Sequence, residues 1–135
     1  TLMQNQQLDF TNSFYSLSFL VEKDQIGKEE ILKSHQILNK IQSSNWYVKW
    51  RKRLNINKKN SKKILKTLLT HNPSIIPRNH IVEKVLNDAI YENKKDSLND
   101  FLFALNEPYK IRTFDNTYTK TPLPNEEVTQ TFCGT

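Results

Sequence analysis

The feature that most constrains this chain is the spacing of its apolar residues, which recur every three or four positions along almost its whole length. That spacing lines them up on one side of an α-helix, whereas a half-buried strand would need strict alternation. The clearest segment is 79–91, whose shared face carries Ile81, Val82, Val85, Leu86, Ala89 and Ile90. The sequence therefore predicts an all-α fold, an irregular bundle of about five or six helices.

Capping residues and prolines divide this pattern into separate helices. Asp9 is predicted to begin one that ends near Lys23, with an apolar stripe of Phe10, Phe14, Leu17 and Val21. The later predicted starts are Glu29, Ser43 or Ser44, Asn60 or Ser61, Asn79, and Asp96 or Ser97. Pro73 and Pro108 are predicted stops, because the residue before a proline avoids the helical conformation.

The composition changes after Pro108. From residue 109 onward Thr, Asn, Pro and Glu dominate, and Pro122 and Pro124 exclude a long helix. We therefore expect a helical domain at 1–108 and an extended C-terminal tail at 109–135. The aromatic residues predicted to hold the tail down are Tyr109, Phe114, Tyr118 and Phe132.

Several kinds of site are absent from the sequence. Its two glycines, Gly27 and Gly134, lie too far apart to form a phosphate-binding loop. His35, His71 and His80 lack the four-residue spacing of a metal-binding helix, and one cysteine provides neither an internal disulfide nor a thiolate zinc site. These residues therefore predict no catalytic constellation. The lone cysteine favours a reducing compartment, and we expect a cytoplasmic protein.

No apolar run approaches the roughly 18 residues of a membrane helix, so a membrane is not an expected partner. The chain starts with Thr1 rather than an initiator Met and carries no signal-peptide pattern. We therefore expect a piece of a longer protein.

Positive charge is concentrated in the middle of the chain. The net charge is +6, and residues 31–82 hold twelve Lys and Arg but no Asp or Glu. These bases form a solvated face, pair with acids on another part of the protein, or bind nucleic acid. Lys outnumbers Arg, although Arg is the residue expected at bidentate phosphate contacts.

Two tryptophans lie within this basic region. Trp46, Trp50 and Leu54 are spaced by four residues, so they share one face of a helix. Interleaved aromatic and basic residues can stack on single-stranded nucleic acid, but the helical period favours a core anchor. Nucleic acid is therefore not an expected partner.

One short element carries a resemblance. Asn72 and Pro73 are followed, after four residues, by Arg78 and Asn79, and then by a helix. Together with Trp46 upstream of the Arg-Lys-Arg-Leu run and a cysteine third from the end, this pattern resembles the C-terminal region of the selenoprotein O family. That family comprises protein adenylyltransferases with a kinase-like fold. Two departures are Leu68, where Met is usual, and Gly-Thr after the cysteine, where Ser-Ser is common.

The resemblance implies a parent protein that uses ATP and magnesium to transfer AMP to hydroxyl groups of other proteins. The glycine-rich loop and the metal-binding residues of such an enzyme match nothing here, so the resemblance implies a noncatalytic helical C-terminal domain. Its expected partners are the kinase-like core of the same chain and the parent's protein substrates. We expect no cofactor, catalytic residue or metal ligand within the chain itself.

The resemblance also suggests roles for individual residues. Trp46, Asn72, Pro73, Arg78 and Asn79 are candidates for structural bracing or for docking to the core. Asn79 would cap a helix and Arg78 would brace the connector by binding carbonyls or an acid of the core, with a direct catalytic role for this pair as the alternative.

Family members keep cysteine or selenocysteine at the position of Cys133. Cys133 is therefore a redox candidate that would pair with a thiol on the core, or else an inert tail residue. Two other functions stay open for the chain as a whole: a small basic nucleic-acid-binding domain and a helical protein-interaction module.

Overall fold

The computed structural model describes residues 2–21 and 36–127. Those residues form seven α-helices, two 3-10 helices at Ser18–Leu20 and Pro124–Glu126, and no β-strand. The α-helices are α1 (Leu2–Asn5), α2 (Phe10–Leu17), α3 (Gln36–Gln42), α4 (Asn45–Leu54), α5 (Ser61–His71), α6 (Asn79–Tyr91) and α7 (Lys95–Leu105). The all-α prediction is confirmed. No helix in these two ranges has the length and apolar character needed to cross a bilayer.

Four predicted helix starts are confirmed, and one of them is Asn79, the first residue of α6. At the start of α2 the Asp9 carboxylate accepts a hydrogen bond from the backbone N–H of Asn12 at 2.8 Å. At the start of α4 the Ser44 hydroxyl accepts one from the N–H of Tyr47 at 3.2 Å. Each bond satisfies a donor of the first turn that has no partner within the helix. The helix α5 begins at Ser61, as predicted.

The predicted cap of α7, Asp96 or Ser97, is wrong by two or three residues. Asp96 and Ser97 lie inside the first turn, and the helix begins at Lys95 with Lys94 in the cap position. The preceding Asn93 has a positive φ of 53°, a conformation that asparagine tolerates well. The turn at Asn93 therefore ends α6 and directs the chain into α7 before the expected capping residues are reached.

The buried face of α2 also differs from the predicted stripe. Phe10 is 68% exposed, and the buried positions are Asn12, Ser13, Tyr15, Ser16 and Leu17. The serine hydroxyls are satisfied within their own helix: Ser13 Oγ donates to the Asp9 carbonyl at 2.5 Å and Ser16 Oγ to the Ser13 carbonyl at 2.7 Å. Because these hydrogen bonds are local, the small polar side chains are buried without a partner elsewhere.

The larger hydrophobic core forms around α2, the 3-10 helix that follows it, and α3. Its buried members are Tyr15, Leu17, Phe19, Leu20, Leu38, Ile41 and Phe114. Side chains of α4 and α5 pack against it. The rings of Tyr15, Phe19 and Phe114 contact one another edge to face, with centroids 5.1, 5.6 and 6.0 Å apart.

A second, smaller core lies between α6 and α7 and contains Ile81, Val85 and Phe101. Tyr118 packs on it, with its ring centroid 5.2 Å from that of Phe101. Since Phe114 belongs to the first core, the segment 109–127 joins the two cores. Phe114 and Tyr118 thus act as predicted, whereas Tyr109 is half-exposed, because the chain at this point is held by backbone hydrogen bonds rather than by its aromatic ring.

Some predictions fall on residues that the structure does not describe. They are the helix start at Glu29 and the positions of Phe132 and Cys133. The helix end predicted near Lys23 is wrong, because α2 ends at Leu17 and continues only as the 3-10 helix Ser18–Leu20. The described part of the predicted second helix is α3, whose Leu38 and Ile41 are buried as expected.

Candidate functional site

The connector between α5 and α6 joins several parts of the molecule. Asn72 ends α5, and both its backbone N–H and its side-chain Nδ2 donate to the Leu68 carbonyl, at 2.9 and 2.8 Å. After Pro73, the fully buried Ser74 donates from its backbone N–H to the Pro108 carbonyl at 2.8 Å. Two of the predicted bracing residues therefore begin a connector that is bonded to the start of the tail.

Arg78 is the most constrained of the predicted bracing residues. Its guanidinium donates to both carboxylate oxygens of Asp9, at 2.7 and 2.9 Å, in a bidentate ion pair. The two side chains are only 8% and 19% exposed. Asp9 also caps α2, so this pair joins the start of α2 to the start of α6. The acid that binds Arg78 thus lies on this chain, 69 residues away, and not on the core as expected.

The electrostatics of Asp9 follow from this geometry. Burial by itself would raise the pKa of Asp9, because a charged carboxylate is less stable away from water. The hydrogen bond from Arg78, the N–H of Asn12 and the positive charge of Arg78 outweigh burial and hold the pKa of Asp9 below its ordinary value. The ion pair is therefore charged at neutral pH.

The predicted cap at Asn79 is wrong. Asn79 is the first residue of α6 and is exposed, and Arg78 occupies the cap position with an extended backbone at φ −76° and ψ 133°. The bidentate pair with Asp9 fixes Arg78 just outside the helix, so α6 begins one residue earlier than a cap at Asn79 would require. No side chain caps this end.

Trp46 is not the buried core anchor that its spacing predicted. It is 40% exposed, while Trp50 is half-buried and packs against the larger core. The two indole rings are stacked, with centroids 6.1 Å apart and planes 18° apart. Tyr47 also stacks on Trp50, at 5.9 Å. The side of α4 that faces the larger core carries Tyr47 and Trp50, and Trp46 lies at the edge of that side.

Two important residues were missed by the sequence analysis. The hydroxyl of Tyr15 accepts from the Arg112 N–H and donates to the Arg112 carbonyl, both at 2.9 Å. The Arg112 guanidinium donates to the carbonyls of Glu107 at 2.7 Å and Ala104 at 3.2 Å, and to Ser74 Oγ at 3.0 Å. The one sequence signal was a base shortly after a helix end, where free carbonyls accumulate.

The basic stretch forms an exposed surface on α4, α5 and the loop between them. We call this the basic surface, and its exposed residues are Lys49, Lys52, Arg53, Lys58, Lys59, Lys62, Lys63 and Lys66. Across the described ranges, none of these side chains forms an ion pair. Arg51 differs, because it points inward and donates to the Leu20 carbonyl at 2.7 Å. An acidic partner would therefore find eight exposed cations that have no ion pair with another described residue.

A groove of about 1030 Å³ lies between α6 and the tail. Its lining mixes bases and acids, including His80, Lys84, Lys120 and Glu126. Burial lowers the pKa of His80, against the effect of the nearby Glu126 charge, so this imidazole is neutral at pH 7. No three His, Cys, Asp or Glu side chains come together as a metal site in the residues that the structure describes.

These features define an all-α segment built around a bracing ion pair and an exposed basic surface. Residues 1–106 match the family described as Protein adenylyltransferase SelO, and the chain belongs to that family. The sequence-based resemblance is thereby confirmed.

The relatives are similar to the chain along its whole length. It is 36% identical over 135 residues to the Protein nucleotidyltransferase YdiU of Alcanivorax borkumensis, covering 100% of this chain and 26% of the relative. For the YdiU of Bacillus cereus the identity is 31% over 134 residues, covering 99% of this chain and 25% of the relative. The chain is 30% identical over 135 residues to the YdiU of Clostridium botulinum, covering 100% of this chain and 26% of the relative.

The chain spans about a quarter of the length of these curated relatives, and the match lies in their C-terminal part. No solved structure matches the chain.

Proposed function

We propose that the chain is the noncatalytic C-terminal segment of a protein adenylyltransferase. The parent would transfer AMP from ATP to Ser, Thr or Tyr hydroxyls of proteins. The observation that supports this most strongly is a family match over residues 1–106 combined with coverage of only a quarter of the nucleotidyltransferase relatives. The lone cysteine suits a reducing cytoplasm, where we place the parent protein.

The residues of this chain do not fit ATP or magnesium. The sequence has two glycines, 107 positions apart, and hence no loop that could cradle phosphates. The described ranges hold no cluster of carboxylates or histidines that would coordinate a metal ion. We therefore assign ATP and magnesium binding to the kinase-like core, which would be formed by the remaining three-quarters of the parent.

The role that we assign to the segment is mechanical support of that core. The Asp9–Arg78 pair, the bonds of Ser74 and Arg112, and the tail that joins both cores hold its helices together. The basic surface would face acidic groups of the core or of a protein substrate, since it has no acidic partner among the described residues. Trp46 and the connector would lie in or near this contact.

Labelled-AMP transfer tests the proposal directly. The full-length protein that contains this chain and the 135-residue chain alone are incubated with ATP labelled in its α-phosphate, magnesium and acceptor proteins. We expect label on acceptor hydroxyls with the full-length protein only. Label transferred by the chain alone would contradict the noncatalytic role. A folded, ATP-binding full-length protein without transfer would contradict the proposed activity.

Redox control through Cys133 is a further part of the proposal. A disulfide between Cys133 and a thiol of the core would clamp the tail across the kinase-like domain, and the two thiols would pass two electrons and two protons to an oxidant such as glutathione disulfide. We expect oxidation to change the activity of the wild-type protein but not that of Cys133→Ala. An equal response of both proteins would leave Cys133 as an ordinary tail residue.

A nucleic-acid-binding domain is the second candidate, because the basic surface is exposed and unpaired. Stacking on bases would need free aromatic faces, yet Trp50 stacks on both Trp46 and Tyr47. We therefore expect no tight binding to single-stranded DNA or RNA. Submicromolar affinity that falls steeply with salt would favour this second function over a contact within the parent protein.

A further inference from the structure

An apolar groove of about 440 Å³ lies on the surface where α1, α2, α3 and α4 meet. Its lining consists of Leu2, Met3, Leu8, Ser13, Phe14, Leu17, Ile41 and Trp46. The polar groups in this set are the Ser13 hydroxyl, which already donates within α2, and the indole N–H of Trp46. The groove thus offers hydrophobic contact and almost no hydrogen-bonding capacity to whatever occupies it.

Aromatic side chains at this groove face solvent. Phe10 is 68% exposed, and its ring centroid is 4.7 Å from that of Phe14, which lines the groove. Trp46, also in the lining, is 40% exposed. Exposed apolar surface that continues into a concave apolar groove is typical of an interaction site rather than of a free surface.

One edge of the groove is basic. Lys49 and Arg53 follow Trp46 by three and seven residues on α4, so helical geometry places them on the Trp46 side. Both are exposed, and neither forms an ion pair within the described ranges. An occupant that carries apolar side chains together with an acidic group would match both parts of this surface.

We propose that this groove binds a part of the same polypeptide that precedes residue 1 in the longer protein, through apolar side chains and an acid facing Lys49 and Arg53. The inference rests on the proposed function in one respect, that the chain is a segment of a longer protein. Leu2 and Met3 line the groove, so polypeptide that precedes them enters beside it. A covalent tether of this kind raises the effective concentration to about millimolar or higher, so modest contacts are enough.

A second copy of the chain fits this surface less well. A symmetric dimer would place the same patch of both molecules together. Lys49 and Arg53 of one copy would then approach those of the other, and like charges at a contact are unfavourable. The unpaired bases therefore favour an acidic partner over self-association.

Photo-crosslinking in the full-length protein tests this proposal. The chain offers a matched pair of positions, because Phe10 and Phe103 are both 68% exposed, and only Phe10 lies beside the groove. Each is replaced in turn by the photoreactive p-benzoylphenylalanine, and cross-linked peptides are identified by mass spectrometry. We expect position 10 to form intramolecular cross-links to residues that precede this chain, with a yield at least several-fold above position 103.

Other results at position 10 would overturn the proposal. Cross-links to a second copy would assign the groove to a dimer, and cross-links to another protein would assign it to an external partner. A yield no higher than that at position 103 would mean that the groove is empty.

The charged edge is tested by reversal of its bases. We expect Lys49→Glu with Arg53→Glu to reduce the cross-link yield at position 10 several-fold. The matched control is Lys58→Glu with Lys59→Glu. It changes the net charge by the same amount, at positions of the basic surface that lie outside the groove. Equal yields from both double variants would reject the acidic contact.

The readout is independent of AMP transfer. If the expected cross-links form in a protein that does not transfer AMP, the proposed activity is contradicted and the proposed groove contact is supported. If the protein transfers AMP but the expected cross-links do not form, the proposed groove contact is contradicted and the proposed activity is supported.

Discussion

At the scale of single residues, two polar, long-range contacts add to the two hydrophobic cores in holding this molecule together. Arg78 binds Asp9 across 69 positions, and Tyr15 binds the backbone of Arg112 across 97 positions. Each of these side chains is buried or half-buried, so it would be costly to leave unpaired. Loss of one partner should therefore destabilise the fold more than loss of a surface charge.

Replacement of Arg78 tests the bracing ion pair. We expect Arg78→Ala to lower the free energy of unfolding by about 3 kcal/mol, because it leaves the Asp9 carboxylate without its cationic partner. Urea unfolding followed by circular dichroism would measure the change. The control is Arg53→Ala, which removes an exposed Arg without an ion pair and should cost less than about 0.5 kcal/mol. Similar losses in both variants would argue against the brace.

The same pair makes stability depend on pH. The pKa of Asp9 is lower in the folded chain than the value of about 3.9 expected when unfolded, so the unfolded state binds more protons in acid. The contribution of Asp9 is fully present above about pH 5 and is lost as pH falls through its depressed folded pKa. Asp9→Asn keeps a good capping residue but removes this titration.

We therefore expect the stability difference between wild type and Asp9→Asn to shrink as the pH is lowered from 6 to 3. Urea unfolding of both proteins across that range measures it. A difference that stays constant with pH would show that the Asp9 carboxylate does not gain stability from Arg78.

At the scale of helices, capping signals located the starts well, whereas apolar spacing was a weaker guide to the buried face. Asp9 and Ser44 cap the helices that they were predicted to cap. On α2, however, serines and an asparagine are buried and Phe10 is exposed. The serines satisfy their hydroxyls within the helix, and Asn12 donates from Nδ2 to the Thr119 carbonyl at 3.0 Å, which requires the tail to be in place.

A neighbouring pair of serines tests the cap of α4. Ser44→Ala removes the acceptor for the Tyr47 N–H and should lower the free energy of unfolding by about 1 kcal/mol. Ser43→Ala is the matched control, because the exposed Ser43 hydroxyl only donates to the Lys40 carbonyl. We expect a change of less than about 0.5 kcal/mol for the control in thermal or urea unfolding. Equal effects of the two substitutions would contradict the capping role of Ser44.

At the scale of the whole molecule, the tail is part of the fold. Phe114 lies in the larger core, Tyr118 lies on the smaller one, and the fully buried Thr119 donates to the Phe114 carbonyl at 2.9 Å between them. The predicted division between a helical domain at 1–108 and a tail at 109–135 stays a prediction. The contacts of residues 109–127 nevertheless indicate that they stabilise the helices.

Truncation of a tail aromatic tests this dependence. We expect Phe114→Ala to lower the free energy of unfolding by about 3 to 5 kcal/mol, because it leaves a cavity beside Tyr15 and Phe19. Phe103→Ala removes the same side chain from an exposed site on α7 and should cost less than about 0.5 kcal/mol. Denaturant unfolding compares the two. If Phe114→Ala were as mild as Phe103→Ala, the tail would not be part of the core.

The sequence by itself determined the helical class, four of the helix starts, the basic surface and the family. These depend on local chemistry: the apolar period, a side-chain oxygen close to a free N–H, a run of bases without acids, and a motif of eight residues. Each is readable because the interacting groups lie within a few positions of one another.

Only the tertiary structure decided which residues pair and which faces are buried. Arg78 could have bound any carbonyl or acid, and it binds Asp9 because folding brings the starts of α2 and α6 together. Trp46 has the spacing of a core residue, but the helices around α4 leave it at the edge of a groove. Arg112 has no sequence signal beyond being a base shortly after a helix end, and its role arises where the end of α7, the connector and Tyr15 meet. The physical reason is that pairing and burial depend on distances between segments, which local propensity does not encode.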